Sequence, residues 1–308
     1  MDEKIKQKLE NQQYRIVGNH SAVKICNWTK KSLIDNGECY KSKFYSIPTH
    51  RCCQMTPSMF CPNKCQFCWR SIEHFNAVKL SKSDEPKDIV DGCIEGQRHL
   101  LNGFPGNTEI NMEKFKEAQE PTNFAISLSG EPTIYSKLDG LIEELNKRKK
   151  FSFLVTNGQF PERLEKLESL PTQLYVSLDA PTKELYQKID RPSLKDFWER
   201  FNKTLELLPT LDTRKVLRLT AVKGLNMTKV EEYAKLIEKA NVDWIEIKAY
   251  MWVGESRNRL KEENMPTHND IQEFSKQIAE KIEMDIIDEQ KESRVCLLAE
   301  KDSRERFL

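Results

Sequence analysis

The sequence predicts an α/β fold: a parallel sheet with helical crossovers, curled into a full or partial barrel. Three observations carry that reading. Beyond about residue 120 the chain holds five apolar runs, NFAISL, FSFLVT, QLYVSL, VLRLTAV and WIEIKAY. They are short and rich in β-branched and aromatic residues, as buried strands are. Amphipathic, helix-like segments separate or follow them at roughly 137–150, 161–168, 182–188, 193–208 and 228–240, and such alternation builds parallel sheets. Finally, the first four runs lead into small and polar residues: Ser129-Gly130-Glu131-Pro132, Asn157-Gly158, Asp179-Ala180-Pro181 and Lys223-Gly224. Each alone is ordinary turn chemistry. Together they mark one end of successive strands, the end where barrel proteins carry their functional residues.

The first 120 residues read differently, holding eight of the nine cysteines, an amphipathic helix at roughly 86–101 and a polar, loop-like stretch near 102–122. No repeat, low-complexity tract or Pro/Gly/Ser-rich linker interrupts the chain. A single domain over 1–308 is expected, with an N-terminal extension (1–58), a barrel core (59–255) and a C-terminal helical extension (256–308).

Composition narrows the function. With 49 Lys plus Arg against 48 Asp plus Glu, the net charge is +1, which excludes nucleic-acid binding by bulk charge but not by a local basic face. The 38% of apolar residues suffices for a core, so wholesale disorder is excluded. No apolar run is long enough to span a bilayer, and the N-terminal MDEKIKQKLENQQYR has no signal-like apolar stretch. A cytoplasmic monomer follows as the expectation, and there clustered thiols hold metal more often than they form disulfides.

Cys61, Cys65 and Cys68 form C-x3-C-x2-C within FCPNKCQFCWR. Three thiolates this close can wrap one metal centre. Zinc would need a fourth ligand in a closed site, for which Cys52, Cys53, His50 and His74 are near. An iron–sulfur cluster held by three thiolates instead leaves one iron open. The motif, with Phe67 just before its last cysteine, resembles that of the radical S-adenosylmethionine (SAM) enzymes. The resemblance implies a partial (β/α) barrel, a [4Fe–4S] cluster on Cys61, Cys65 and Cys68, and SAM on its open iron. SLSGEPT at 127–133, TNG at 156–158 and SLDAP at 177–181 sit where that superfamily contacts SAM. Phe67, Ser129, Gly130, Glu131, Asn157, Ser177 and Asp179 are therefore the implied cofactor-binding residues.

Upstream, Cys26, Cys39 and Cys52 are separated by twelve residues each, in polar flanks (KICNWTK, GECYKSK, THRCCQ) that make poor core strands. A second three-thiolate site explains them better than burial does. Both motifs in this order resemble the radical SAM enzymes of tRNA wybutosine biosynthesis, in the short archaeal form without a flavodoxin domain. The resemblance runs from Cys26 through EIKAYMWVG at 246–254. It implies two [4Fe–4S] clusters and an external one-electron donor of flavodoxin or ferredoxin type. It also implies condensation of pyruvate with N1-methylguanosine beside the anticodon of tRNA(Phe), giving the tricyclic base 4-demethylwyosine. The deoxyadenosyl radical takes hydrogen from the N1 methyl, the carbon radical meets the pyruvate keto carbon, and the carboxylate carbon is lost before ring closure.

Ring closure onto a carbonyl suggests an amine catalyst. Lys41 and Lys43 follow Cys39, and a lysine in such a place can form a Schiff base with a keto acid; Lys41 is favoured. Arg70, Lys79, Lys82, Arg257 and Arg259 are candidate RNA-phosphate contacts, with Trp69 and Trp252 as stacking surfaces for a loop base. Each basic residue also reads as solvated surface and each Trp as packing. Cys93 and Cys296 read as packing residues, and Cys53 is left over. A radical SAM enzyme of another substrate class and a zinc-stabilised, non-catalytic RNA-binding module remain as alternatives.

Overall fold

The computed structural model describes residues 3–80 and 82–308. Helix α1 (Glu3–Asn11) and a hairpin of β1 (Arg15–Val17) and β2 (Ser21–Lys24) come first, then two short helices, α2 (Asn27–Ser32) and α3 (Tyr40–Tyr45). Strand β3 (Cys52–Thr56) opens the main series. It continues through α4 (Pro86–Leu101), α5 (Met112–Ala118), β4 (Asn123–Ile126), α6 (Leu138–Lys147), β5 (Phe151–Thr156), α7 (Pro161–Leu164) and β6 (Gln173–Ser177). After these come α8 (Lys183–Asp190), α9 (Phe197–Leu207), β7 (Arg214–Ala221), α10 (Val230–Ala240) and β8 (Trp244–Ala249). Helix α11 (His268–Ile282) and a hairpin of β9 (Asp285–Gln290) and β10 (Val295–Ala299) close the series.

One ten-stranded sheet runs β1-β2-β3-β4-β5-β6-β7-β8-β10-β9. Strands β3 to β8 are all parallel, and antiparallel hairpins flank them on both sides. The outermost strands do not pair with each other, so the barrel is partial, as the sequence predicts.

Strand alternation sorts side chains onto two faces. Leu154, Leu174, Val176, Leu217, Leu219, Ile245 and Ile247 face outward into the main core under the helices. Phe153, Tyr175, Val216, Trp244 and Leu297 face inward and pack against Tyr40, Phe44 and Tyr45 of α3 and Ile47 after it. Helix α3 therefore plugs the barrel interior. It is further held where Leu308 N–H donates to the Tyr45 carbonyl (3.1 Å) and Tyr45 OH to Glu246 (2.9 Å).

The structure differs from expectation in four places. The first parallel strand, β3, lies before residue 59, because its polar CCQMT is strand only by pairing with β2 and β4. The stretch 102–122 contains α5, started by the Asn111 side chain accepting from the N–H groups of Glu113 and Lys114. The C-terminal extension is not wholly helical: after α11 it adds two strands to the sheet. In addition, the segment read as helix over 161–168 ends at Leu164. The Asp139 carboxylate takes the N–H groups of Glu168 (2.8 Å) and Ser169 (2.7 Å), turning the chain instead.

Candidate active site

The loop carrying Cys61, Cys65 and Cys68 crosses the C-terminal ends of the parallel strands. Backbone bonds to the end of α8 fix its course: Lys64 N–H to the Asp190 carbonyl (2.9 Å), Gln66 N–H to the Ile189 carbonyl (2.8 Å) and Ser193 N–H to the Pro62 carbonyl (2.8 Å). Arg259 clamps it from the other side, donating to the carbonyls of Gln66 and Cys68. The three cysteines border an opening of about 850 Å³, with Phe67, Ser129, Gly130, Glu131, Asn157, Ser177 and Asp179 on its walls. All seven residues expected to hold SAM thus meet the expected cluster.

Individual roles differ from a simple contact set. Gly130 has φ +66°, and a Cβ there would lie 2.1 Å from the Ser58 carbonyl oxygen, so only glycine lets the two loops approach this closely. Glu131 is buried and accepts from Thr133 N–H (3.1 Å), Thr133 Oγ1 (2.6 Å), Thr156 Oγ1 (2.7 Å) and Asn157 N–H (2.8 Å). It ties the loop after β4 to the end of β5. Burial pushes the Asp179 carboxyl up to about 6, against the pull of bonds from Thr220. Burial likewise pushes the thiols of Cys61 and Cys65 up, helped by Glu131 and Asp190 respectively.

These residues fit a cluster and its bound cofactor. Asn63 Oδ1, Arg70 Nε and Asp190 Oδ2 are buried without a hydrogen-bond partner, and all three residues line the opening. Buried polar atoms are rarely left unpaired, so a polar ligand belongs here.

The second triad lies deeper in the barrel. Cys26, Cys39 and Cys52 line one small cavity, of about 40 Å³, together with Lys41, Thr49, Ala125 and Phe153. Cys26 and Cys39 occupy the N-cap positions of α2 and α3, where neither side chain makes a capping bond. Cys52 reaches the cavity because it sits on the inner face of β3. Its neighbour Cys53 faces outward, packed in the main core with Cys93, which accounts for the cysteine the sequence left over. Cys296 is buried in that same core. Burial, then the neighbouring Cys26, push the Cys39 thiol up to about 11 and Cys52 to about 12. A cationic metal centre is what such a donor set calls for.

A closed zinc site is not built here. His50 is taken by Glu117 (2.5 Å), His74 is exposed and Cys53 points away. Among the described residues, no three Cys, His, Asp or Glu side chains converge on a point that a single ion could occupy. An iron–sulfide cube spreads its ligands more widely.

The two sites share strands. Ala125 and Phe153 border the inner cavity, while Ser127 and Val155, two residues on and on the same face, border the outer opening. Same-face residues are about 6.5 Å apart along a strand, so the two sites follow each other along the same strands.

Helix geometry separates the two candidate lysines, since positions two apart lie on different faces. Lys41 turns inward, its Nζ 4.3 Å from the centre of the Tyr175 ring and 4.5 Å from that of Phe153. Lys43 turns outward to Asp288 (2.7 Å). Burial, followed by the charge of Arg218, lowers the Lys41 ammonium to about 8.

Around Lys41 stands a polar group that sequence reading missed. Arg218 pairs with the fully buried Glu246 (2.9 Å), and Tyr40 OH donates to the same carboxylate (2.9 Å). Burial pushes the Glu246 carboxyl up, but Arg218, Lys41 and the two tyrosine hydroxyls outweigh it and hold it below its ordinary value. Lys248 completes the group, donating to the Ser293 carbonyl (2.7 Å). The signal was present in VLRLTAV and WIEIKAY: charged residues at inward positions of otherwise apolar strands.

The expected RNA contacts divide. Lys79 and Lys82 are exposed, and Arg257 stacks on Trp252 (4.8 Å). Arg70 instead points into the outer opening, donating to the Ser127 carbonyl (2.9 Å) and stacking on Trp69 (4.3 Å). Arg259 is spent on the cluster loop. The segment with Arg257 abuts that loop, with Glu255 N–H bonded to the Trp69 carbonyl (2.9 Å). Trp252 is half-buried, its indole N–H held by the Leu260 carbonyl (2.9 Å).

Comparison with known proteins agrees with this geometry. Residues 55–237 match the radical SAM superfamily and residues 239–300 match wyosine base formation. The chain is 48% identical to the S-adenosyl-L-methionine-dependent tRNA 4-demethylwyosine synthase of Pyrococcus horikoshii, over 98% of this chain and 90% of that protein. A structure of TYW1 with a lysine-pyruvate adduct bound superposes with a TM-score of 0.89 at 38% identity, covering 100% of this chain and 98% of the other. A crystal structure of archaeal TYW1 superposes with a TM-score of 0.82 at 35% identity, covering 100% of both chains.

Proposed function

The chain belongs to the tRNA 4-demethylwyosine synthases, radical SAM enzymes that form the wyosine base of tRNA, and from that premise we propose that Lys41 captures pyruvate beside a second iron–sulfur cluster. In this reading Cys61, Cys65 and Cys68 hold the SAM-binding cluster, while Cys26, Cys39 and Cys52 hold the other. When bound, the first cluster and SAM supply a carbon-centred radical able to take hydrogen from the methyl of N1-methylguanosine. The chain's own residues set where that happens.

Lys41 carries the reading. Its amine borders the same cavity as the three upstream cysteines and lies over two aromatic rings. Attack by neutral Nζ on the pyruvate keto carbon replaces C=O by C=N, with the oxygen leaving as water together with both amine protons. A lysine–pyruvate adduct in a relative of the same fold supports this. The shared strands β4 and β5 hold the captured substrate one step from the radical source, and proximity of that kind is what the reaction needs. Glu131, Asn157, Ser177 and Asp179 line the SAM side, and Phe67 packs beside the last cluster ligand. The reducing electron comes from an external donor.

The RNA substrate is tRNA(Phe) with N1-methylguanosine beside the anticodon. Lys79, Lys82 and Arg257 contact phosphates near the mouth, and Trp252 offers a stacking surface. Arg70 and Arg259 serve the opening and the cluster loop instead. Replacing Lys79, Lys82 and Arg257 together with Gln is expected to shallow the slope of log affinity against log salt by roughly 2, taking single-stranded contacts. A filter-binding series across salt concentrations measures this, and an unchanged slope removes these residues from the interface.

The function as a whole is tested by an anaerobic reaction containing reductant, SAM, pyruvate and N1-methylguanosine-bearing tRNA. The expected result is the tricyclic base, from protein carrying iron equivalent to two four-iron clusters. With both clusters intact and no such base formed, the substrate assignment falls.

A further inference from the structure

Building on the Lys41 reading, we propose that Lys248 and the free edge of Arg218 recognise the carboxylate of the keto acid that Lys41 captures, so that a 2-keto acid is preferred over its uncharged ester. Neither residue belongs to the cysteine motifs or to the SAM loops.

Position comes first. Arg218 and Glu246 are register partners on β7 and β8, and Thr220 and Lys248 are the next inward pair. The Arg218 guanidinium lies 4.7 Å from the centre of the Tyr175 ring, the same ring that Lys41 covers at 4.3 Å. The Lys248 ammonium lies 5.3 Å from the centre of the Tyr40 ring, and Tyr40 directly follows Cys39. The keto carbon of a 2-keto acid is bonded to its carboxylate carbon. A carboxylate site for Lys41's substrate must therefore be within a few ångströms of that amine; Arg218 shares the Tyr175 ring with it, and Lys248 lies over Tyr40, one residue before Lys41.

Donor capacity comes second. Arg218 spends Nε (3.0 Å) and Nη2 (2.9 Å) on Glu246, and Nη2 also donates to Tyr40 OH. No described residue accepts from its Nη1. Lys248 has three donors and spends one on the Ser293 carbonyl (2.7 Å). No described carboxylate pairs with it.

The test uses trapping rather than turnover. Holoenzyme is titrated anaerobically with pyruvate, or with its uncharged methyl ester, in the presence of cyanoborohydride. The reduced adduct on Lys41 is then quantified by peptide mass spectrometry. Lys248→Gln is expected to raise the half-saturating pyruvate concentration about tenfold or more while leaving that of the ester within about twofold. Lys248→Arg is expected to restore the preference. Both ligands meet the same variant, so intrinsic carbonyl reactivity and any general loosening of the fold cancel. If Lys248→Gln keeps the wild-type preference for pyruvate over its ester, the carboxylate site is wrong although Lys41 stands. If the wild-type enzyme traps no adduct on Lys41, the Lys41 reading fails and this inference fails with it.

Discussion

Lys41→Ala is expected to lower formation of the tricyclic base by about a thousandfold or more while reductive cleavage of SAM to 5′-deoxyadenosine continues. The separation follows from the layout. The cysteines and loops proposed to hold SAM ring the outer opening, and Lys41 borders the inner cavity. Removing its amine takes away the proposed nucleophile without touching a proposed cluster ligand or SAM contact. Lys43→Ala is the matched control, because Lys43 is bound to Asp288 on the outside. Lys43 is exposed and Asp288 keeps its second partner, Arg306 (2.9 Å), so activity should stay within about twofold of wild type. Chromatography of deoxyadenosine and of digested tRNA from the same reactions reads both products. Persistent base formation in Lys41→Ala would remove the amine from the mechanism.

Neighbouring cysteines give the second large contrast. Cys52→Ala is expected to lose about half the iron and all base formation, with SAM cleavage retained. Cys53→Ala should keep full iron and activity and lose only packing, roughly 1–2 kcal/mol by comparison with small core truncations. Cys61→Ala supplies the third arm: SAM cleavage is lost and the inner cluster remains. Iron analysis, thermal unfolding and product analysis on the same preparations distinguish the three. Equal iron loss in Cys52→Ala and Cys53→Ala would contradict the inner and outer assignment of β3.

Much of this was legible in sequence because it is local. The strands β4 to β8 announce themselves as apolar runs, and Ser129, Asn157 and Asp179 follow three of them where a parallel sheet exposes its strand ends. The cluster motif is contained within eight residues. What escaped was set by distant contacts. Strand β3 has little strand character of its own and exists between β2 and β4. The roles of Arg218, Glu246 and Lys248 depend on which strand face points inward, and that is decided by packing rather than by the residues themselves. Arg259 looked like a phosphate contact because its carbonyl partners, Gln66 and Cys68, lie nearly two hundred positions earlier. Even the regular spacing of Cys26, Cys39 and Cys52 is not a structural period: a helix start, a second helix start and a strand supply the three sulfurs.

Helix α3 also ties the chemistry to the order in which the chain is made. Its seat on strands β5 to β8 is completed by β10 and β9, and Lys43 grips the Glu289 carbonyl across 246 positions of sequence. At about 5–20 residues per second, a ribosome needs roughly 12–50 s to cover that distance. Throughout that interval Lys41 rides on a short helix with no completed barrel to hold it, its amine solvated and ordinary. The proposed nucleophile is therefore among the last parts of the catalyst to be enclosed, although it is among the first to be translated. A nascent chain cannot capture keto acids before the chamber that directs them exists.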